Sequence, residues 1–270
     1  MKSAITISLV PEARGGPFVF WDDLAAACAQ AAELGFDAVE IFPSAAETLD
    51  PSAVKRLIAM HGLGVAALGS GAGWLKHQLR LTDPDASIRK RAREFAGRVI
   101  DVAGDLGAPA IIGSMQGRWG DGLAREQATG WLSEALEELA ERAARHQTPL
   151  LYEPLNRYET NLFNRQGEAA ALLRSLRMPN VKLLCDLFHM NIEESSIADA
   201  LRAAGSLVGH VHFVDSNRLA VGFGHIDMGP IMAALREIGY AGYLSGEVLP
   251  LPDSVAAAKQ TMKAFREMNR

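Results

Sequence analysis

Four residues in the second half of the chain carry side chains that could hold a divalent ion, and they recur at one place in a repeating unit. Glu153 closes the apolar run 150–153, Asp186 closes 182–186, His212 comes at the end of 208–213, and Glu247 closes 244–247. Each run is short and has the composition of a buried strand. Each residue lies roughly one strand-plus-helix unit from the next. Three carboxylates and one imidazole suit a hard or borderline divalent ion, Mn²⁺ first, then Co²⁺ or Mg²⁺. Zinc is less natural without thiolates or more imidazoles. Taken singly, an Asp or Glu at a strand end is more often a helix cap or an ion-pair partner, and a lone His a packed or surface residue. Four at matching positions point to a shared site.

A second layer lies in the loops beyond these strands. Glu159 follows Glu153, His189 follows Asp186, and Arg218 follows His212, with His225 further along the same loop. All could reach ligand oxygens, although Glu159 and Arg218 read equally well as solvated loop charges. His210 shares a strand face with His212 because side chains alternate with a period of two. It reads as a neighbour or barrel-interior residue and is not assigned to the metal.

The elements that must position these residues alternate strictly. Strands are predicted at 5–9, 38–42, 65–68, 110–112, 150–153, 182–186, 208–213 and 244–247. Helices are predicted at 21–34, 51–61, 87–106, 125–146, 167–176, 197–204, 228–238 and 254–268. Asp50-Pro51 pairs a good N-cap with proline at the first helical position. Gly35, Gly62, Gly107, Gly205 and Gly239 follow helical runs, where a left-handed residue is often needed. Eight strands alternating with eight helices argue for parallel α/β architecture. An open doubly wound sheet shares the alternation, but no G-x-G-x-x-G follows the first strand; the segment there is Val10-Pro11-Glu12-Ala13-Arg14-Gly15-Gly16-Pro17. In a closed (β/α)₈ TIM barrel, by contrast, four successive strand ends converge on one mouth. No linker or low-complexity segment divides residues 1–270, so one domain is expected.

Composition narrows the function classes. The 270 residues carry 27 Lys plus Arg against 32 Asp plus Glu, a net charge of -5 that disfavours nucleic acid as partner. Cys28 and Cys185, the two cysteines, sit in apolar runs and read as small buried residues in a reducing, cytoplasmic compartment. The apolar run 5–10 is too short for a signal peptide, and no stretch approaches a transmembrane span.

Longer motifs add a family resemblance. Tyr152-Glu153-Pro154-Leu155-Asn156-Arg157-Tyr158-Glu159, Cys185-Asp186-Leu187-Phe188-His189-Met190-Asn191-Ile192-Glu193-Glu194 and His210-Val211-His212-Phe213-Val214-Asp215-Ser216-Asn217-Arg218 resemble the D-tagatose 3-epimerase family. Gly224-His225-Ile226-Asp227 and Gly246-Glu247 do so too. That family belongs to the xylose-isomerase-like sugar isomerase and epimerase barrels. The strong match spans residues 150–250. The resemblance implies that Glu153, Asp186, His212 and Glu247 hold one divalent metal. It implies that Glu153 and Glu247 also exchange the substrate proton, and that Glu159, His189 and Arg218 bind substrate oxygens. It further implies a small ketose or related polyol as substrate and a homo-oligomer. Gly113-Ser114-Met115-Gln116-Gly117-Arg118-Trp119 departs from the pattern expected after the fourth strand.

The chemistry then follows from the side chains. A proton alpha to a carbonyl becomes acidic when the enediolate left behind is stabilised by a metal. Two glutamates on opposite faces of that planar species would invert C3. An aldose–ketose isomerase acting on hydroxypyruvate or a related sugar needs the same metal and base. So does a dehydratase or lyase on a keto-inositol or keto-glycoside. An apurinic-site endonuclease on this barrel would need further imidazoles, including one after the fourth strand, and none is there. A non-catalytic sugar-binding barrel has little need for two glutamates opposed across a metal. Gly222 and Gly224 could cradle a phosphate or simply give their loop freedom.

Overall fold

The computed structural model describes residues 1–269. Eight parallel strands form the barrel: β1 (Lys2–Ser8), β2 (Ala38–Phe42), β3 (Gly64–Gly69), β4 (Ala110–Ile112), β5 (Leu150–Tyr152), β6 (Val181–Asp186), β7 (Val208–His212) and β8 (Tyr243–Gly246). Each pairs with the next, and β8 closes back on β1 with Ala4 opposite Ser245 and Ile5 opposite Gly246. The outer helices are α1 (Leu24–Leu34), α2 (Pro51–His61), α3 (Ala86–Asp105), α4 (Arg125–Arg145), α5 (Gln166–Ser175), α6 (Ile197–Ala204), α7 (Met228–Glu237) and α8 (Ser254–Met268). This is the TIM barrel expected from the alternation.

Local chemistry sets the boundaries. Asp23, Asp50, Asp85, Asp227 and Asp253 each cap a helix by accepting a backbone N–H of its first turn. Gly35 ends α1 at φ 86°, ψ 27°, a left-handed conformation that costs glycine little and a side chain more. Helices α3 and α4 bury stripes at helical spacing, among them Phe95, Val99 and Ile100 on one and Leu132, Leu136 and Leu139 on the other. These stripes pack against the strands and join the apolar core that runs around the barrel.

Three elements depart from the sequence reading. The first helix begins at Leu24, because Phe20–Trp21 adds a two-residue strand beside β1. Short helices form at Ala72–Leu75 and Leu187–Glu193 inside loops. The second of these starts on Asp186, whose Oδ1 accepts the N–H groups of Phe188 (2.8 Å) and His189 (3.1 Å). A metal-type carboxylate is thereby also a helix cap, which fixes its rotamer.

The barrel interior is small and polar. Ala4, Ala38 and Ala66 cluster apart from the main core. Two residues beyond Ala38, on the same face of β2, Glu40 lies fully buried. It meets His210 and His212 of β7, a strand that is not its neighbour in the sheet. That contact crosses the lumen and exists only because the sheet closes.

Candidate active site

Asp186 and His212 are the last residues of β6 and β7, and Glu153 and Glu247 the first beyond β5 and β8. All four point into one mouth. His212 Nδ1 lies 3.0 Å from Asp186 Oδ2 and 3.6 Å from both Glu153 Oε1 and Glu247 Oε2. Ligand atoms of Glu153, Asp186 and His212 lie within 4.8 Å of one another, a group that could hold a metal ion. Around an ion with bonds of about 2.1 Å, adjacent octahedral ligands stand ~3 Å apart and opposite ones ~4 Å. Glu247 stands beside this group and is engaged by Arg218 Nη2 at 3.4 Å.

Burial and crowding set the charges. Burial first, and then the neighbouring carboxylates, push Glu247 up to about 7 and hold Glu153 well above the usual carboxylate range, against the opposing pull of His212. Burial alone would lower His212, but the charges of Glu247 and Glu40 and its hydrogen bonds to Asp186 and Glu40 outweigh it and push the imidazole well above its ordinary value. Asp186 and Glu40 resist the upward push of burial and stay below the usual range, because both sit against imidazoles. The acidic groups around Nδ1 of His212 thus favour positive charge at the place a cation would occupy.

The predicted loop residues divide. His189 is buried, and its Nδ1 lies 2.7 Å from Asn156 Nδ2, an amide donor. That leaves Nε2 as the N–H, and this atom has no hydrogen-bond partner among the described residues. It faces Glu153 Oε1 at 3.9 Å and Asp186 Oδ2 at 4.0 Å. Burial holds the His189 pKa below its ordinary value, so it is a neutral donor aimed into the site. Arg218 spans Glu159 Oε1 (3.3 Å) and Glu247 Oε2 (3.4 Å) and lies over the Phe188 ring. Its loop is organised by Asp215, whose carboxylate accepts the N–H groups of Ser216, Gly222 and Ile226. Gly222 thus serves an internal carboxylate and offers no phosphate cradle. His225 is exposed on that loop and does not line this cavity.

Sequence reasoning missed three positions. Glu40 Oε1 lies 3.0 Å from His212 Nε2, and Glu40 Oε2 lies 2.7 Å from His210 Nε2. By accepting from Nε2–H, Glu40 directs the other ring nitrogen of His212 toward the carboxylates, as outer carboxylates commonly do for metal-binding histidines. A lone charge inside the apolar run Ala38–Phe42 was the available signal. Gly113 is the second: a Cβ there would stand 2.3 Å from Glu153 Oε2. Gln116 is the third. Its amide donates to the carbonyls of Gly113 (3.1 Å) and Glu153 (3.0 Å) and accepts from Tyr152 (2.7 Å). The segment after the fourth strand therefore seats the Glu153 backbone and leaves room for its carboxylate.

Known proteins share this architecture. A family model for the xylose isomerase-like TIM barrel matches residues 28–268. The chain is 32% identical over 225 residues to L-ribulose 3-epimerase of Methylomonas sp. (strain DH-1), covering 82% of this chain and 77% of that protein. It is 35% identical over 216 residues to D-psicose 3-epimerase of Ruminiclostridium cellulolyticum, covering 78% of this chain and 73% of that protein. The chain belongs to the ketose 3-epimerase family of xylose isomerase-like barrels. A solved D-allulose 3-epimerase from Methylomonas sp. superposes with a TM-score of 0.84 at 28% identity, covering 99% of both chains. Membership makes this chain an isomerase. Its buried Glu, Asp and His groups have the donor chemistry for one divalent ion, and the unpartnered His189 Nε2 marks space for a further ligand beside them. No helix among the described residues is long and apolar enough to cross a membrane.

Proposed function

We propose that this chain interconverts C3 epimers of a small ketose, with Glu153 and Glu247 as the acid–base pair and Glu153, Asp186, His212 and Glu247 as ligands of one divalent ion, Mn²⁺ by preference. The observation that carries this reading is the pair of glutamates flanking His212 Nδ1 at 3.6 Å each, both lining one cavity of about 690 Å³. Carboxyl groups raised toward neutrality accept and return protons efficiently near pH 7. A divalent ion held there supplies Lewis-acid stabilisation of negative charge on the sugar's carbonyl oxygen.

The protein's own groups do the rest. One glutamate takes the C3 proton, and the other delivers a proton from the opposite face, leaving the carbon inverted. His189 Nε2–H and the Arg218 guanidinium donate to sugar oxygens on which charge develops. Glu159 positions Arg218 and offers an acceptor to a hydroxyl. Arg218 also bridges to Glu247, which ties substrate binding to the orientation of that carboxylate. The barrel that carries these groups draws its strands from Lys2 through Gly246, in keeping with one domain.

The test is incubation of Mn²⁺-loaded protein with free ketoses in D₂O. Deuterium at C3 together with the inverted product supports the assignment. Label confined to C1 or C2 would make the chain an aldose–ketose isomerase, and elimination of water would make it a dehydratase.

A further inference from the structure

We infer that the substrate of this site carries an anionic group remote from its reacting carbon, a phosphate or a carboxylate, received by Arg80 and Arg118. The inference rests on the reading of the cavity as the sugar site. A cavity of about 690 Å³ is of the size that encloses drug-sized ligands, well beyond a free hexose. Its wall runs from the glutamates past Gly113 and Ser114 to loops after β3 and β4.

Four arginines line that cavity, and they differ in what holds them. Arg14 is ion-paired with Asp22 and stacked on Trp21. Arg218 is held by Glu159 and Glu247. Arg80 and Arg118 have no carboxylate within ion-pair distance among the described residues; Glu12, which also lines the cavity, is engaged by Lys76 at 4.0 Å. Arg80 is nevertheless supported by a neighbour. Its guanidinium stacks over the Trp74 ring at 4.1 Å, and both residues face the cavity. Stacking occupies the face of the guanidinium and leaves its edge donors free, the geometry that suits a phosphate or carboxylate fork.

The two arginines belong to one wall. Thr82, two residues beyond Arg80, donates through Oγ1 to the Gln116 carbonyl at 3.0 Å and approaches that of Arg118 at 3.4 Å. A Cβ on Gly117 would stand 3.3 Å from Arg80 Cβ and 2.2 Å from Thr82 Oγ1, so a side chain there would wedge the loops apart. The segment that departs from the family pattern thus packs its backbone at Gly117 and Arg118 against the Arg80–Thr82 segment, and both arginines line the cavity. Charge is also polarised along the cavity. Glu153, Glu159 and Glu247 gather at the reacting end, where Arg218 is already engaged by two of them and leaves no free arginine for an anionic substituent. Unpaired guanidinium groups on the loop wall attract it, which orients the sugar with its carbonyl toward the carboxylates. The glycine loop offers no competing receptor, because the Gly222 amide donates to Asp215 at 2.8 Å.

The experiment measures binding of three probes, D-fructose, D-fructose 6-phosphate and D-fructuronate, to Mn²⁺-loaded protein by calorimetry at low and high salt. At least one anionic sugar is expected to bind on the order of 30-fold more tightly than D-fructose, the gain from two charge-assisted contacts. Which one does so separates phosphate from carboxylate. That preference should shrink about fivefold in Arg80→Gln and in Arg118→Gln, vanish in the double variant, and survive in part in Arg80→Lys. Equal affinity for all three probes in the wild type overturns the inference, as does a preference that persists in a folded double variant. Deuterium exchange at C3 on the same panel tests the epimerase reading separately, so either can fail without the other.

Discussion

Replacing Glu40 with Gln tests whether a buried carboxylate behind the site sets the tautomer of His212. Glu40 is fully buried and accepts at both oxygens, from His210 Nε2 at 2.7 Å and from His212 Nε2 at 3.0 Å. An amide of the same shape accepts at one position and donates at the other. One imidazole then meets N–H against N–H and must change tautomer or move away. If His212 changes, its proton sits on Nδ1, and that atom loses the lone pair it would give to a cation. Loss of such an outer partner lowers metal affinity by about 10- to 100-fold. A buried donor left unpaired costs about 1–3 kcal/mol of stability. In a protein of this size that corresponds to a fall in Tm of roughly 2–10 °C. Mn²⁺ titration followed by the electron paramagnetic resonance signal of the free ion reads the affinity without relying on turnover, and thermal melting reads the fold. A folded Glu40→Gln protein that binds Mn²⁺ as tightly as wild type would refute the orienting role.

Three further outcomes are expected. Asp186→Asn and His212→Ala should each lose stoichiometric Mn²⁺ on dialysis. Asp186→Asn should remain close to wild type in circular dichroism, because Asn can still cap the Leu187–Glu193 helix; retained metal in both variants removes these residues as ligands. Glu153→Gln and Glu247→Gln should each abolish net epimerisation in both directions, with C3 exchange in D₂O surviving in one epimer at most; near wild-type interconversion by Glu247→Gln removes the two-base scheme. Gly113→Ala should displace the Glu153 carboxylate, since the added methyl would lie 2.3 Å from Oε2. A shift of about 1 Å at a reacting group costs on the order of 100-fold in kcat/KM, so unchanged kinetics would show that Glu153 acts from another position.

Much of this molecule was legible in its sequence because the information was local and periodic. Short apolar runs ending in Glu153, Asp186, His212 and Glu247 define both the strands and the end of the barrel at which chemistry gathers. The Asp50-Pro51 cap, the terminal glycines and the helical periodicity marked most helix limits to within a residue, because these signals depend on groups three or four positions away. Trp21 was misplaced in a helix for the complementary reason: its strand pairing is with Ser8, which no local pattern encodes. Tertiary structure alone decided the rest. Glu40 reads in sequence as an odd charge in a strand, and only closure of β8 on β1 carries β2 across the lumen to His210 and His212. Gly113 and Gln116 read as ordinary loop residues until the fourth and fifth strands are side by side and the Glu153 carboxylate fills the space a side chain would need. The pKa shifts belong to the same class, since burial and the meeting of charges from four strands do not exist until the barrel is closed.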